Sequence, residues 1–191
     1  MFENYTAAID ELNILTTTSY ESATDKDKNT NIEQVTDDVL TFLILAYQDG
    51  VKETSTMLGE EITVDISHME QAIYKEIAGK TFEDRVRDHV EEDDLQGLQM
   101  LVESEYHRVF NSAEEDAAND YASYAEVEIS KTWRTVMDNK VRDTHAYLEG
   151  MTVGLDQKFY TYDGDSASSP GQFSKASNNV NCRCVLIFNK G

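Results

Sequence analysis

Two cysteines and one histidine toward the C-terminal end have the types and spacing of metal ligands. Cys182 and Cys184 are separated by one residue, and His145 lies on an earlier predicted helix. Residues two apart on an extended segment face the same side, so both thiols can join the imidazole in a zinc site. Buried cysteines more commonly act as small apolar groups, and C-x-C is less typical of zinc than C-x₂-C. We therefore favour packing and expect neither a metal nor another cofactor.

The same three residues leave one enzymatic alternative open. An unperturbed imidazole titrates at about pH 6.5, so His145 can act as a general base or as a metal ligand. The alternative function is a zinc- or histidine-dependent hydrolase built on His145, Cys182 and Cys184. A single histidine on a helix is more commonly a hydrogen-bonded packing residue, which favours a protein without enzymatic activity.

Charged and amide side chains also recur at steps of three or four residues on two predicted helices. They are Glu105, Arg108 and Asn111 on the first helix, and Asp138, Arg142 and His145 before and along the second. The spacing by itself is typical of a solvated ion pair, which contributes only about 0.3–0.5 kcal/mol. The alternative is a partly buried polar network between the two helices, in which Arg142 binds Asp138 or Glu105.

The acidic residues are concentrated in the front of the chain. The 191 residues carry 16 Lys+Arg and 37 Asp+Glu, for a formal net charge of −21. Residues 131–191 hold eight basic and six acidic side chains, whereas residues 1–130 hold eight and 31. This balance argues against nucleic-acid binding by phosphate neutralisation and against docking on anionic lipid.

The most apolar run, 39–47, is far shorter than the ~20 residues of a membrane helix, and we see no secretion signal, so we expect a soluble intracellular protein.

Hydrophobic periodicity predicts helices in the front and mixed structure in the back. The predicted helices cover 4–19, 32–58 (either continuous or bent at Gly50), 69–77 with Gly79 as C-cap, a segment from Thr81, 98–117, and 139–149 between Asp138 as N-cap and Gly150. The predicted loops and extended segments are 21–31, 62–66, 132–136, 151–162, 163–179 and 185–188. The fold class is therefore α+β, with a mainly helical N-terminal part and a small C-terminal α+β unit that contains a short antiparallel sheet.

An ordered series of short segments runs from residue 79 to the end of the chain. The segments are Gly79-Lys80-Thr81-Phe82-Glu83-Asp84-Arg85-Val86, Ser104-Glu105-Tyr106-His107-Arg108-Val109-Phe110-Asn111, Lys131-Thr132-Trp133, Asp138 with Val141-Arg142 and His145, Leu148-Glu149-Gly150, Phe159, Pro170 and Asn181-Cys182-Arg183-Cys184. In this order they resemble the Mu F-like minor head protein family of tailed bacteriophages. We assign the head morphogenesis domain of that family to residues 79–191, and we treat residues 1–78 as a separate acidic helical region.

The resemblance implies a structural protein and not an enzyme. It implies a minor capsid protein of the phage head, made in the host cytoplasm, present in the virion and associated at low copy with the portal before DNA packaging. Scaffold and major capsid proteins are further implied partners, and some members of the family are thought to influence the exit of DNA. No catalytic role is carried over. We assign a structural role to Glu105, Arg108, Asn111, Trp133, Asp138, Arg142, His145, Asn181, Cys182, Arg183 and Cys184.

The charged residues also predict how the C-terminal unit is attached to the helical part and which partners each region binds. Buried charges need partners, so we expect the charged motif residues and His145 to form one network that fixes the C-terminal unit on the helix 98–117. The acidic region 1–78 should seek a basic surface on the portal or another head protein. Any DNA contact should be weak and come from the C-terminal unit, and we expect no membrane contact. A third interpretation is an acidic adaptor or nucleic-acid mimic that binds by charge alone.

Overall fold

The computed structural model describes residues 2–22 and 28–191. Its helices are α1 (Phe2–Ser22), α2 (Lys28–Leu58), α3 (Ile66–Ile73), α4 (Phe82–Glu91), α5 (Leu95–Ala125), α6 (Asp143–Ala146) and α7 (Ala176–Asn179). Its strands are β1 (Ile129–Arg134), β2 (Thr152–Gly154), β3 (Phe159–Tyr160), β4 (Ser166–Ala167) and β5 (Val185–Lys190). The predicted α+β class is confirmed. Residues 23–27, the centre of the predicted loop 21–31, lie outside the described residues.

The five helices of the front, α1 to α5, bury apolar side chains in one core. Leu12 of α1, Val39 of α2, Val86 of α4 and Val102 of α5 are all fully buried there. The three- and four-residue spacing of such side chains places them on one face of each helix, and these faces meet. The core therefore contains residues from both sides of the domain boundary predicted at residue 78, and that boundary stays a prediction. None of the helices in the two described stretches has the length and apolar character needed to cross a membrane.

The long helix α2 is continuous through Gly50, where the sequence was compatible with either a continuous helix or a bend. A Cβ atom at Gly50 would lie 2.5 Å from the carbonyl oxygen of Phe110 and 2.8 Å from Cβ of Ala113, both on α5. The absence of a side chain lets the two helices approach closely. This approach offsets the ~1 kcal/mol that a glycine costs inside a helix.

The helix α3 starts and ends earlier than predicted. Asp65 caps its N-terminus, so the helix begins inside the segment predicted to be extended. The helix predicted at 69–77 stops before Ile77, which exchanges backbone hydrogen bonds of 3.0 and 3.1 Å with Lys80. Gly79 has a φ of 75° inside that tight turn, and therefore it forms a reverse turn and not the predicted C-cap.

The starts of α4 and α5 are fixed by caps. The predicted N-cap Thr81 is confirmed, because its hydroxyl accepts from the amide of Asp84 and its own amide donates to the Asp84 carboxylate. Glu92, Asp93 and Asp94 follow α4 and separate it from α5. The last of them, Asp94, caps α5 by accepting from the amide of Gly97 at 2.9 Å. The helix predicted at 98–117 extends further at both ends.

The small sheet is antiparallel and has β1 as its central strand, in the order β2-β1-β5. Ile129, Lys131 and Trp133 alternate along β1 and are all buried. Across the β1–β5 pair, Phe188 lies opposite Lys131 and Leu186 lies opposite Trp133. This inward face forms a second apolar cluster, to which Ala118 of α5 also belongs. The two strands predicted at either end of the C-terminal unit are thus confirmed with shifted bounds.

The helix predicted at 139–149 is wrong over most of its length. Only the four residues of α6 are helical, and Arg142 occupies the N-cap with extended backbone angles of −70° and 150°. Asp138 caps no helix, because its carboxylate binds both terminal nitrogens of Arg183 at 2.7 and 2.9 Å. Gly150, the predicted end of this helix, has a positive φ of 75° where the chain turns toward β2.

Candidate functional site

The histidine and both cysteines identified from the sequence meet in one buried cluster. The Nδ1 atom of His145 lies 3.5 Å from Sγ of Cys182 and 3.3 Å from Sγ of Cys184. The three potential ligand atoms all lie within 4.8 Å of one another. The residues are only 2%, 6% and 3% exposed. The two thiols therefore point together, as expected for residues two apart on an extended segment.

The two other residues of the N-C-R-C segment orient the thiols. Asn181 has a left-handed φ of 54°, a conformation that asparagine adopts more readily than most residues, and it turns the chain toward β5. Arg183 lies between the cysteines and forms the two-pronged ion pair with Asp138 described above. The hydrogen bond from Arg183 is the main reason that the pKa of Asp138 lies below its ordinary value. Because this ion pair holds the Arg183 side chain at the protein surface, the thiols on either side of it in the sequence face the interior.

Aromatic rings surround the imidazole. The centroid of the His145 ring lies 5.5 Å from that of Trp133 and 5.3 Å from that of Phe173. Its Nε2 atom has no hydrogen-bond partner among the described residues, so aromatic packing orients the ring. The cavity that the three residues help to line measures about 10 Å³. A larger open groove, about 1080 Å³, reaches the cluster at Cys182.

The two thiols differ in their affinity for protons. Hydrogen bonding with Cys184 lowers the pKa of Cys182 well below its ordinary value; burial opposes this shift, and His107 and His145 add to it. The hydrogen bond with Cys182, followed by burial, raises the pKa of Cys184. One thiolate beside one thiol is the arrangement that two buried like charges favour in the absence of a cation.

A second buried cluster surrounds Glu105 on α5. One of its carboxylate oxygens binds Nη1 of Arg85, from α4, at 2.8 Å, and the other binds Arg108 at 2.9 and 3.2 Å. The side chains of Glu105 and Arg108 are 5% and 4% exposed, so the three-residue step forms a buried pair and not a solvated one. Burial by itself would raise the pKa of Glu105, but the two arginines hold it below its ordinary value.

The single network predicted from the sequence is wrong, because the charged motif residues form separate contacts. Arg142 donates from Nη2 to the carbonyl oxygen of Val180 at 2.5 Å and does not pair with Asp138. Asp138 binds Arg183, and His145 faces the thiols. Folding places α4 next to the glutamate of α5, and the guanidinium from α4 occupies the position expected for Arg142.

The amide at the end of the three-residue series links α5 to the cysteine cluster. Asn111 is fully buried, and its Nδ2 atom donates to the carbonyl oxygen of His107 at 2.8 Å. The same nitrogen lies 3.3 Å from Nδ1 of the His107 ring. His107 is itself 2% exposed and interacts with the thiol of Cys182. The sequence alone assigns no role to His107, because nothing in its spacing relates it to the cysteines.

Glu115 fixes the C-terminal unit on α5 and was also missed. One of its carboxylate oxygens accepts from Nζ of Lys131 on β1 at 2.8 Å, and the other accepts from the hydroxyl of Ser168 at 2.8 Å. Lys131 is fully buried, so its charge requires this partner. The sequence did contain a sign that Lys131 is buried, because Lys131 and Trp133 are two residues apart and therefore share the inward face of the strand.

The loop predicted at 163–179 is organised by one buried carboxylate. Asp165 is 4% exposed, and five hydrogen bonds of 2.7–3.2 Å reach its two oxygens from within the loop. The donors are the amides of Ser166, Ser174 and Lys175, the hydroxyl of Ser174 and Nδ2 of Asn178. Burial by itself would raise the pKa of Asp165, but these hydrogen bonds hold it well below its ordinary value.

Comparisons with known proteins agree with the ordered motifs. The sequence model of the family described as Phage Mu protein F like protein matches residues 66–187. The minor head protein GP7 of Bacillus phage SPP1 is 29% identical over 94 residues, which are 49% of this chain and 30% of that protein. The NAD(+)–arginine ADP-ribosyltransferase EFV of Enterococcus faecalis is 43% identical over 61 residues, which are 32% of this chain and 12% of that protein. No solved structure matches the chain at a significant level.

The matched region begins at the first residue of α3 and ends within β5. It therefore contains α4, α5 and almost all of the C-terminal unit, together with both buried clusters described above. It is also more than half of the chain, although the matches span only small parts of the two relatives. The chain belongs to the phage Mu protein F-like family.

Proposed function

We propose that this chain is a structural minor head protein of a tailed bacteriophage. It joins the procapsid by associating with the portal, is made in the host cytoplasm, and stays in the head, where it influences DNA packaging or ejection. The observation that carries this proposal is the family match, which covers the residues that form the buried contacts of α5. A relative that matches half of this chain bears the name minor head protein, which supports the same role.

The geometry of the motif residues supports an architectural role. Glu105, Arg108 and Asn111 are buried and engaged with neighbouring helices or backbone, which leaves them unable to reach a substrate. A hydrolase centre on His145 would need space for substrate and water at the imidazole, whereas the cavity that touches His145 measures about 10 Å³ and the large groove reaches only Cys182 of this cluster. The ADP-ribosyltransferase activity belongs to a relative of which only 12% is matched, so it provides no support for an enzyme here.

The exposed face of α2 is the part of the acidic front best suited to a partner. Glu33, Asp37 and Ile44 are exposed, and their spacing of four and seven residues places them along one stripe of the helix. Carboxylates beside an apolar side chain suit a basic protein surface that also offers an apolar contact. We assign the portal, or another head protein, to this stripe, and any weak DNA contact to the C-terminal unit.

Binding of the portal by surface variants of the full chain tests this assignment. Removal of residues 1–78 is unsuitable because it would take Val39 and its neighbours out of the shared core. The double variant Glu33→Gln/Asp37→Asn should weaken portal binding and reduce its dependence on salt. A matched control, Glu128→Gln/Asp156→Asn, removes the same charge from exposed positions outside the acidic region 1–78 and should leave binding unchanged.

A third variant separates a specific head protein from an adaptor that binds by charge alone. Ile44→Ser keeps every charge and removes the apolar contact, so the proposal expects weaker binding. If charge alone acts, Ile44→Ser binds like the wild type and the double charge variant does not bind at all. Equal portal binding by all variants would remove the α2 stripe from the proposal.

A further inference from the structure

We propose that His145, Cys182 and Cys184 hold a structural zinc ion, which His107 completes from α5. The ion would join the C-terminal unit to the helical half of the molecule. This inference is independent of the portal, because it concerns how the chain holds itself together.

The separations of the three ligand atoms suit a tetrahedral zinc ion. A nitrogen at about 2.05 Å and a sulfur at about 2.3 Å from zinc lie about 3.6 Å apart, and two such sulfurs lie about 3.8 Å apart. The observed separations between Nδ1 of His145 and the two Sγ atoms are 3.5 and 3.3 Å. The two Sγ atoms lie within 4.8 Å of each other, so an ion fits with adjustments of about 1 Å or less.

The charge and softness of the ligands favour zinc over the hard cations. Two thiolates and one neutral imidazole carry a charge of −2, which one Zn²⁺ neutralises in a site that excludes water. Relative to the thiolate–thiol pair described above, binding releases one proton, from the remaining thiol, as the two Zn–S bonds form. Calcium and magnesium require oxygen ligands, and the cluster formed by His145, Cys182 and Cys184 offers nitrogen and sulfur.

Burial makes the site structural and not catalytic. The three ligands are no more than 6% exposed, and the small cavity beside them has little space for a substrate. A catalytic zinc keeps an open position for water or substrate, whereas a structural zinc is closed by four protein ligands. The groove that reaches Cys182 provides the route by which the ion enters.

His107 is the candidate for the fourth ligand; its ring nitrogens lie outside the group of ligand atoms that are all within 4.8 Å of one another, so its ring has to move to reach the ion. The ring is buried and interacts with the thiol of Cys182, and Nδ2 of Asn111 lies 3.3 and 3.4 Å from its two nitrogens. The other three ligands all belong to the C-terminal unit, whereas His107 lies in the middle of α5. A zinc ion bound by all four therefore bridges the two apolar clusters of the fold.

Metal analysis and cobalt substitution of the full chain test the site. Protein refolded with zinc and freed of unbound metal should contain one zinc per chain. Its melting temperature should fall when a strong chelator removes the ion. Cobalt(II) in place of zinc should give the intense visible bands of a tetrahedral ion and a near-ultraviolet thiolate-to-cobalt band, both of which Cys184→Ser should lose.

Two histidine variants locate the fourth ligand. His107→Gln should keep the thiolate-to-cobalt band and change the tetrahedral bands, whereas the control His68→Gln, on α3, should change neither. An unchanged spectrum in His107→Gln would remove His107 from the site. Wild-type protein that takes up no stoichiometric zinc, shows no thiolate-to-cobalt band and melts at the same temperature with chelator would overturn the proposal, and it would show that the cluster is packing only.

Discussion

Arg85 of α4 and Glu105 of α5 form an ion pair in which Nη1 and Oε1 lie 2.8 Å apart and the side chains are 14% and 5% exposed. The two residues come from the first two motif segments of the family, which are 20 positions apart in the chain. Arg108 binds the other carboxylate oxygen, so the glutamate neutralises two guanidinium groups at once. The motif thus specifies a contact between helices, which explains why its residues are charged although they are buried.

Removal of the central charge should destabilise the fold strongly. Glu105→Gln leaves two buried arginines without a carboxylate and should lower the free energy of unfolding by about 3 kcal/mol, measured by urea denaturation. Glu83→Gln is the matched control, because it breaks the exposed pair with Arg87 and should change stability by about 0.5 kcal/mol or less. Equal effects from the two variants would show that burial of the Glu105 pair contributes nothing.

Gly50 should tolerate no side chain. In an exposed helix, replacement of glycine by alanine stabilises by about 1 kcal/mol. Here the new Cβ would lie 2.5 Å from the carbonyl oxygen of Phe110, and Gly50→Ala should therefore lower the free energy of unfolding by about 2 kcal/mol. Gln48→Ala, on the exposed side of the same helix, should change it by less than about 0.5 kcal/mol. Stabilisation by Gly50→Ala would mean that α2 and α5 are further apart than described.

Asp165 should make the C-terminal loop sensitive to acid. Its pKa is lowered in the folded state, so it contributes stability above the unfolded pKa of about 3.9 and loses that contribution as the pH falls through the folded pKa. Asp165→Asn should lower the free energy of unfolding at pH 7 by about 3 kcal/mol, because five hydrogen bonds to a charge are weakened. Thermal melts between pH 7 and pH 3 should then show a weaker loss of stability in this variant than in the wild type, with Asp156→Asn as the exposed control.

Glu114 should give the opposite dependence on pH. It is fully buried on α5, and neither of its carboxylate oxygens has a hydrogen-bond partner among the described residues. Burial, followed by the charge of Glu53, raises its pKa well above the ordinary value. A raised folded pKa means that the wild type loses stability as the pH rises above the unfolded value of about 4.3. The stability of Glu114→Gln relative to the wild type should therefore increase from pH 5 to pH 8 in urea denaturation; a constant difference would contradict the shift.

Local patterns in the sequence account for much of the architecture. The apolar stripes of α2 and α5, the Thr81 cap and the alternation of β1 each follow from the spacing of neighbouring residues. The common direction of the two thiols was anticipated for the same reason, since the side on which a thiol points depends on its own strand. Interactions of this kind act within one element, so the sequence displays them directly.

Contacts between elements were the source of the errors. The Asp138 carboxylate is a good helix cap by type, but Arg183, 45 residues later, binds it instead, and the predicted helix shrinks to α6. Glu105 takes its partner from α4 because the front helices share one core, which no spacing reveals. The role of Asp165 depends on a loop that closes on itself over 13 residues, and so its composition alone predicted only a turn-rich segment.

Cross-linking mass spectrometry on purified procapsids of the phage that encodes this chain tests whether the chain is a structural protein of the head. We expect the chain in these particles, with amine cross-links from Lys28 and Lys52, both exposed on α2, to the portal protein. Absence of the chain from procapsids that contain a normal portal would contradict the claim that it is a structural protein of the head.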